Sequence, residues 1–520
     1  MEPAETTAAA AQPSPVIPAV PQPDATPPQT AQPGGAPAAA ADAPGSHHAL
    51  LLAVCCAAQF MVILDVSIVN VALPAIHASL DFTTSQLQWV INAYTITFAG
   101  FLMLGGRAAD LLGQRRVFIA GIGLFALASL IGGVAAGKEM LIGARALQGL
   151  GGAVMAPASL SIITSSFAPG PERHRAVGLW GAMNGAGGAT GVLLGGIITQ
   201  ALTWRWILLI NLPIGVAAML VARVAVQEHR RADATRNFDL AGALSITGGL
   251  LTVVYGVVNA STHGWGSLAA LAPIGGGLAL LALFVLIEAR WASVPLVPLR
   301  VFSSPLLRAS NIVMVLFSAS LFPMWFFASL YLQEVLHMTP IGAGLAFLPM
   351  ALTIMACATR AGALAARFGA GRVLGAGLTL LAVGMALFGR IGASGGYVSD
   401  VMAPGLLVAV GIGCSMVPLT IAATTAVKPG EAGLASGLIN SSRQLGGALG
   451  LAILATLAAQ YTGHLIDADY RAPIVALTDG FRLAFLIGAG LAALAAILTF
   501  TLIPQVRPGG PPPGSPPPGR

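Results

Sequence analysis

Of the nineteen acidic residues in this 520-residue chain, Asp65 alone falls deep inside a long apolar run; the other eighteen fall in tails, loops or run ends. A carboxylate at the centre of a helix in hydrocarbon costs about 2.5–3.5 kcal/mol on insertion scales, so it must be satisfied or used. At ~1.5 Å per residue Asp65 lies ~24 Å from the start of its run at residue 49. Arg145, in a run crossing the other way, lies ~9 Å below the far edge of a ~30 Å core, which puts the two at one depth. Such a pair is either a structural ion pair or a site where a carboxyl takes and releases a proton as the guanidinium approaches and leaves. The second reading is the expectation here.

A further guanidinium, Arg443, lies ~18 Å into its own run. It either pairs with backbone carbonyls or with Asn440 and Gln444, or it faces a cavity. Met61, Trp89, Asn92, Tyr94, Phe322, Trp325 and Phe326, with Asn440, Arg443 and Gln444, are the candidate lining of a pocket for aromatic, amphipathic molecules, although such residues at helical spacing also serve plain packing. No histidine lies deep in a run, and Cys55, Cys56, Cys357 and Cys414 all sit among apolar neighbours as small hydrophobes. The residues offer no catalytic constellation, so no enzyme activity, metal or cofactor is expected. The stretch GGVAAGKE (132–139) imitates a phosphate loop but has Glu139 where Ser or Thr would hold magnesium. It reads as a turn, and no region is large enough for a separate nucleotide-binding domain.

The elements that must position these residues are transmembrane helices. The chain is 56% hydrophobic and 8% charged, against roughly 45–50% and ~25% in soluble domains. Apolar runs of about 20 residues recur from 49 to 503, all apolar around their circumference, which suits helices and not an alternating β-barrel. Counting them predicts fourteen spans in an all-α polytopic membrane protein. The expected organisation is a disordered tail (1–48), a six-helix bundle (49–224), a loop (225–239), two linker spans (240–288), a loop (289–309), a second six-helix bundle (310–503) and a tail (504–520). Residues 1–48 hold no lysine, arginine or apolar core and so do not read as a signal peptide.

With the amino terminus placed in the cytoplasm, eighteen of the twenty-five basic residues fall on the cytoplasmic side and five outside. The positive-inside rule therefore predicts a multi-pass plasma-membrane protein with both termini cytoplasmic. The same asymmetry accounts for the net charge of +6 without nucleic acid. The expected partners are lipid, protons and a small-molecule substrate, and the chain is expected to act as a monomer.

An internal repeat appears at an offset of 256: GRAADLLGQRRV from Gly106 matches GALAARFGAGRV from Gly362 in both glycines, one arginine and the final valine. The same offset pairs Gly181 with Gly437, Asn184 with Asn440 and Gly191 with Gly447. It predicts two bundles related by an axis along the membrane normal, with the linker spans inserted between them. The charged stretch GGRAADLLGQRR (105–116) then falls in the cytoplasmic turn between spans 2 and 3.

That stretch resembles the signature loop of the major facilitator superfamily, G-x-x-x-D-x-x-G-x-[RK]-[RK], through Gly106, Asp110, Gly113, Arg115 and Arg116. The second copy has Ala366 in place of the acid. LDVSIVNVALP (64–74), RALQGLGGA (145–153), WRWILLINLPIG (204–215) and AGLASGLINSSRQLGG (432–447) are similar to motifs of the fourteen-span drug/proton antiporter branch. In span 5 the branch's G-P-x-x-G-G motif is represented by Gly191, Val192, Gly195 and Gly196, with valine replacing proline. The ladder Gly187, Gly191, Gly195 remains available for close helix packing. The resemblance implies a major facilitator fold and proton-coupled efflux of small hydrophobic or cationic compounds, such as antibiotics, by alternating access. The alternative it leaves is a dedicated exporter of one natural product or lipid.

Overall fold

The computed structural model describes residues 44–167, 170–228, 239–292, 295–427, 432–467 and 472–504. Among them are fourteen long helices and no strand: α1 (Pro44–Leu80), α2 (Trp89–Leu112), α3 (Gln114–Gly133), α4 (Lys138–Ser166), α5 (Pro171–Ala201), α6 (Asn211–Ala225), α7 (Leu240–His263), α8 (Leu268–Leu286), α9 (Pro305–Leu330), α10 (Pro340–Phe368), α11 (Ala370–Phe388), α12 (Ala403–Thr425), α13 (Ala432–Asp467) and α14 (Pro473–Leu502). Thirteen, several lengthened by short flanking helical segments, are long and apolar enough to cross a membrane. The exception, α5, is long but diluted by glycine. The chain is a multi-pass membrane protein.

Helix starts follow local chemistry. Ser304 and Thr339 accept the backbone N–H groups of Leu307 and Gly342 and precede prolines at the first helical position, and Asp239 caps α7 in the same way. Several helices run past the apolar segments that announce them. Pro44 opens α1 inside the stretch expected as a tail, and α2 continues to Leu112, so Arg107 and Asp110 ride its last turns instead of a loop. Only Gly113 makes the turn, at φ 107°, and its repeat partner Gly369 does so at φ 93°. A residue with a side chain would be strained at both. The remaining parts of the expected tails and of the 225–239 and 289–309 loops, at 1–43, 229–238, 293–294 and 505–520, lie outside the described residues.

Helices α1–α6 form one bundle and α9–α14 the other. Lipid tails are as apolar as leucine, so association rests on close packing and not on hydrophobic burial. Glycines supply the closeness: Gly105 lies against the backbone of Ala153 and Val154, Gly121 against Met155, and Gly411 against Gly377 and Leu381. The bundles meet along α2 with α13 and α5 with α10, two contacts that the repeat makes equivalent. Linker helix α7 packs into the α2–α13 junction, whereas α8 packs on α7 and leaves Leu268, Leu271 and Leu278 exposed, as a lipid-facing helix would.

The membrane-embedded molecule has two unlike ends. On the end away from the 105–116 segment the bundles are tied together: Ser329 Oγ donates to the Asn70 carbonyl (2.6 Å), Gln333 Nε2 to the Val71 carbonyl (2.9 Å), the Ile341 N–H to Gln200 Oε1 (3.1 Å), and His77 Nδ1 lies 3.1 Å from Glu334 Oε1. Toward the 105–116 end α4 and α12 make no extended contact with each other among the described residues. Asn184 and Asn440, equivalent in the repeat, are both exposed there. An amide facing hydrocarbon would be costly, so this exposure marks a polar groove between the bundles.

Candidate functional site

The repeat places polar residues at matching heights, but the densest polar cluster belongs to the first bundle alone. Asp65 on α1 and Arg145 on α4 are 0% and 1% exposed, and Arg145 Nη1 lies 2.5 Å from Asp65 Oδ2. Gln148, one turn along α4 from Arg145, accepts from Arg145 Nη1 (2.8 Å) and donates Nε2 to Asp65 Oδ1 (3.0 Å) and to Ser129 Oγ (2.7 Å). Asn211, the first residue of α6, donates Nδ2 to Asp65 Oδ1 at 3.3 Å. Arg145 Nε donates to the Val90 carbonyl (2.9 Å), and its guanidinium lies 4.6 Å from the centre of the Tyr94 ring. Helices α1, α2, α3, α4 and α6 thus converge on one carboxylate.

In a low-dielectric interior a carboxylate and a guanidinium are held together strongly but only with their remaining hydrogen bonds satisfied. Here the acid receives three side-chain donors, and the guanidinium spends its other donors on a carbonyl, an amide oxygen and an aromatic face.

Gln148 and Asn211 are absent from the sequence-derived candidates. Signals for both were present: Gln148 follows Arg145 by three positions, on the same helix face, and Asn211 interrupts the apolar run of span 6.

The remaining candidates divide by position. Tyr94 is buried beside the charge cluster, and among the described residues its hydroxyl has no hydrogen-bond partner. Asn92 is buried and its Nδ2 donates to Gln88. Met61, 0% exposed, lies inside the first bundle near Gly215, and Phe326, also 0% exposed, packs edge-on against Phe327 in the second. Trp89 packs at the junction with α7, and Trp325 lies 5.2 Å from Phe347, ring centre to ring centre. Each of these four lies against other side chains of the bundles. Phe322 lies against Gly447 on α13. Asn440 is exposed, Gln444 is buried, and Arg443 makes no hydrogen bond or ion pair among the described residues. The pairing of Arg443 with Asn440, Gln444 or a carbonyl is therefore not made.

The glycine ladder has a definite use. Gly187, Gly191 and Gly195 lie against Ile63, Ser67 and Ile68 of α1, and Gly196 lies against Pro340 and Ile341 of α10. One set joins α5 to its own bundle and the other joins it to the opposite bundle. Val192, at the position where the antiporter motif has proline, is buried with its carbonyl against Gly344 of α10. At the 105–116 end Arg115 Nε and Arg116 Nε lie 3.8 Å and 3.6 Å from Glu228, a carboxylate outside the signature motif.

The model of the Major Facilitator Superfamily matches residues 55–451 and again 312–519. The cephamycin export protein CmcT of Amycolatopsis lactamdurans is 44% identical over 79% of this chain and 84% of its own. The puromycin resistance protein pur8 of Streptomyces alboniger is 38% identical over 89% and 93% of the two chains. The lincomycin resistance protein of Streptomyces lincolnensis is 35% identical over 87% and 91%. Among solved structures, an inward-facing bacterial homologue of the human lysosomal transporter Spinster superposes with a TM-score of 0.64 at 15% identity, covering 88% of this chain and 97% of its own, which speaks for the fold alone. With fourteen helices in two repeat-related bundles, a match over most of its length and relatives of this similarity, the chain belongs to the major facilitator superfamily.

Proposed function

We propose that the chain exports small hydrophobic compounds across the plasma membrane in exchange for protons, with Asp65 carrying the proton. The observation that carries this reading is the fully buried Asp65–Arg145 pair, joined by Gln148 and Asn211 across three helices. Protonation of Asp65 frees Arg145, and the helices that share the acid then lose a reason to stay in register. Movement of α1, α4 and α6 relative to one another is the local event, and rocking of the bundles about the central contacts is the global one.

The excess of basic residues at the 105–116 end supports a cytoplasmic location for that end and for both termini. In that orientation the groove faces the cytoplasm and the ties through His77, Asn70 and Gln200 close the outside, an arrangement suited to loading cargo from within. The segment through Gly106, Asp110, Gly113, Arg115 and Arg116 is then the cytoplasmic gate, and its Arg115 and Arg116 contacts with Glu228 stay within the first bundle. The names of the relatives, which concern export of or resistance to several unlike antibiotics, favour outward transport of small organic cargo. Asp65, which already accepts from Arg145, Gln148 and Asn211, is not free to pair with a cationic cargo in this arrangement.

Transport of a panel of antibiotics and dyes into inside-out vesicles under an imposed proton gradient tests the reading. Wild-type protein should move several of them only when the gradient is present. Asp65→Asn should fold and insert but lose gradient-driven transport; full gradient-driven export by that variant would refute the assignment.

A further inference from the structure

Arg443 is the one deeply placed guanidinium that the charge cluster does not use. It lies ~17 Å along α13 from Ala432, near the middle of the membrane. Among the described residues it has neither a counter-ion nor a hydrogen-bond acceptor, and its Nε is buried without a partner. The Tyr94 hydroxyl on α2, which has no hydrogen-bond partner among the described residues, lies against Gly152 of α4 inside the first bundle. The buried acid Asp65 is held there by Arg145, whose guanidinium lies over the Tyr94 ring.

Unsatisfied donors are expensive in an apolar interior, and a lone cation more so. The structure therefore presents a cation without an acceptor on α13, one of the helices along which the two bundles meet. Access exists as well. Asn440, one turn nearer the open end on the same face of α13, is exposed in the groove. One turn the other way, Gly447 has the Phe322 ring against it, so an aromatic wall adjoins the charge.

We infer that Arg443 is a subsite for the acidic group of the transported compound, a carboxylate or sulfonate carried on a flat apolar body. This rests on the export reading above and narrows its cargo to organic acids. A guanidinium offers two parallel N–H donors to a carboxylate, and such charge-assisted bonds are about twice as strong as neutral ones. The aromatic wall suits the remainder of the molecule. Lysine would keep the charge but lose the planar fork.

Binding to the purified full chain in detergent, measured by calorimetry with 2-naphthoate and its neutral isostere 2-naphthamide, tests the subsite. No gradient is applied, so the result is independent of whether Asp65 carries a proton. Wild type should prefer the acid by about tenfold or more. Arg443→Gln should bring the acid-to-amide ratio toward one, and Arg443→Lys should keep part of it. If Arg443→Gln does not fold, the wild-type ratio and the Arg443→Lys variant still decide. Equal affinities in wild type, no measurable naphthoate binding, or an acid preference that survives Arg443→Gln would each overturn the subsite.

Discussion

The two bundles share a chain path but not a core. At the repeat offset of 256, Asp65 corresponds to Leu321 and Arg145 to Val401, both buried. Where the first bundle gathers an acid, a guanidinium and two amides, the second stacks rings. Phe388 lies 4.9 Å from Phe485, and Phe327 lies 5.3 Å from Phe481 and 6.1 Å from Phe485. One helical framework thus carries an ionic solution in one half and an apolar one, Leu321 and Val401, at the equivalent positions of the other. The ionic one is therefore not needed to hold such a bundle together, and its presence in one half points to a role in the work of the molecule.

The contrast is most sharply tested by moving one solution into the other bundle. Arg145→Leu leaves Asp65 buried without its cation and should cost about 3–5 kcal/mol, read as a large fall in thermal unfolding temperature in detergent. Changing both partners, Asp65→Leu with Arg145→Leu, copies the second bundle's apolar core. It should recover most of that loss while remaining inactive in proton-driven transport. If the double variant were as unstable as the single one, the pair would be structural and the comparison would fail.

Packing at equivalent glycines gives the next effect. Gly191→Leu would collide with Ser67 on α1, and Gly447→Leu with the Phe322 ring on α9. Each overpacks a tight helix crossing and should cost about 1–3 kcal/mol. Because Gly447 adjoins the groove, its variant should also weaken substrate binding, whereas the Gly191 variant should act through stability alone; titration of a transported dye separates the two.

The amides around the acid come next. Asn211→Leu removes one donor to Asp65 and should cost about 1–2 kcal/mol, with the loss of transport larger than the loss of stability. The smallest effect is expected at the closed end, where the His77 and Glu334 side chains are partly exposed, at 33% and 21%. His77→Gln should change unfolding by about 0–1 kcal/mol. A larger change in thermal unfolding would show that this tie contributes more to closure than its exposure implies.

Much of this contrast can be read from the sequence. Apolar runs give thirteen spans directly, because lipid demands long apolar helices, and glycine-diluted α5 as a fourteenth by its length, while the 256-residue register gives the two bundles. A lone acid in an apolar run identifies Asp65, and equal depth identifies Arg145. Helix ends are less legible. Arg107 and Asp110 look like loop residues by composition, yet backbone hydrogen bonds carry α2 on to Leu112, with Gly113 the first residue whose φ stops it. Orientation around a helix axis is the other gap. Met61 and Phe326 have the composition of pocket residues, but in spans that are apolar all round the periodicity does not distinguish a groove face from a packing face. Gln148 is within reach of the same argument as Arg145, through its spacing of three. Asn211 meets Asp65 from a distant span, and no local pattern encodes that meeting.

The central claim is that Asp65 exchanges a proton when the bundles change state. Substrate added to the purified protein in weakly buffered detergent, with a pH-sensitive dye, measures this directly. Wild type should release about one proton per bound substrate, by linkage between protonation and conformation, and Asp65→Asn should bind substrate and release none. Equal release by the variant would place the exchanging proton elsewhere and contradict the account.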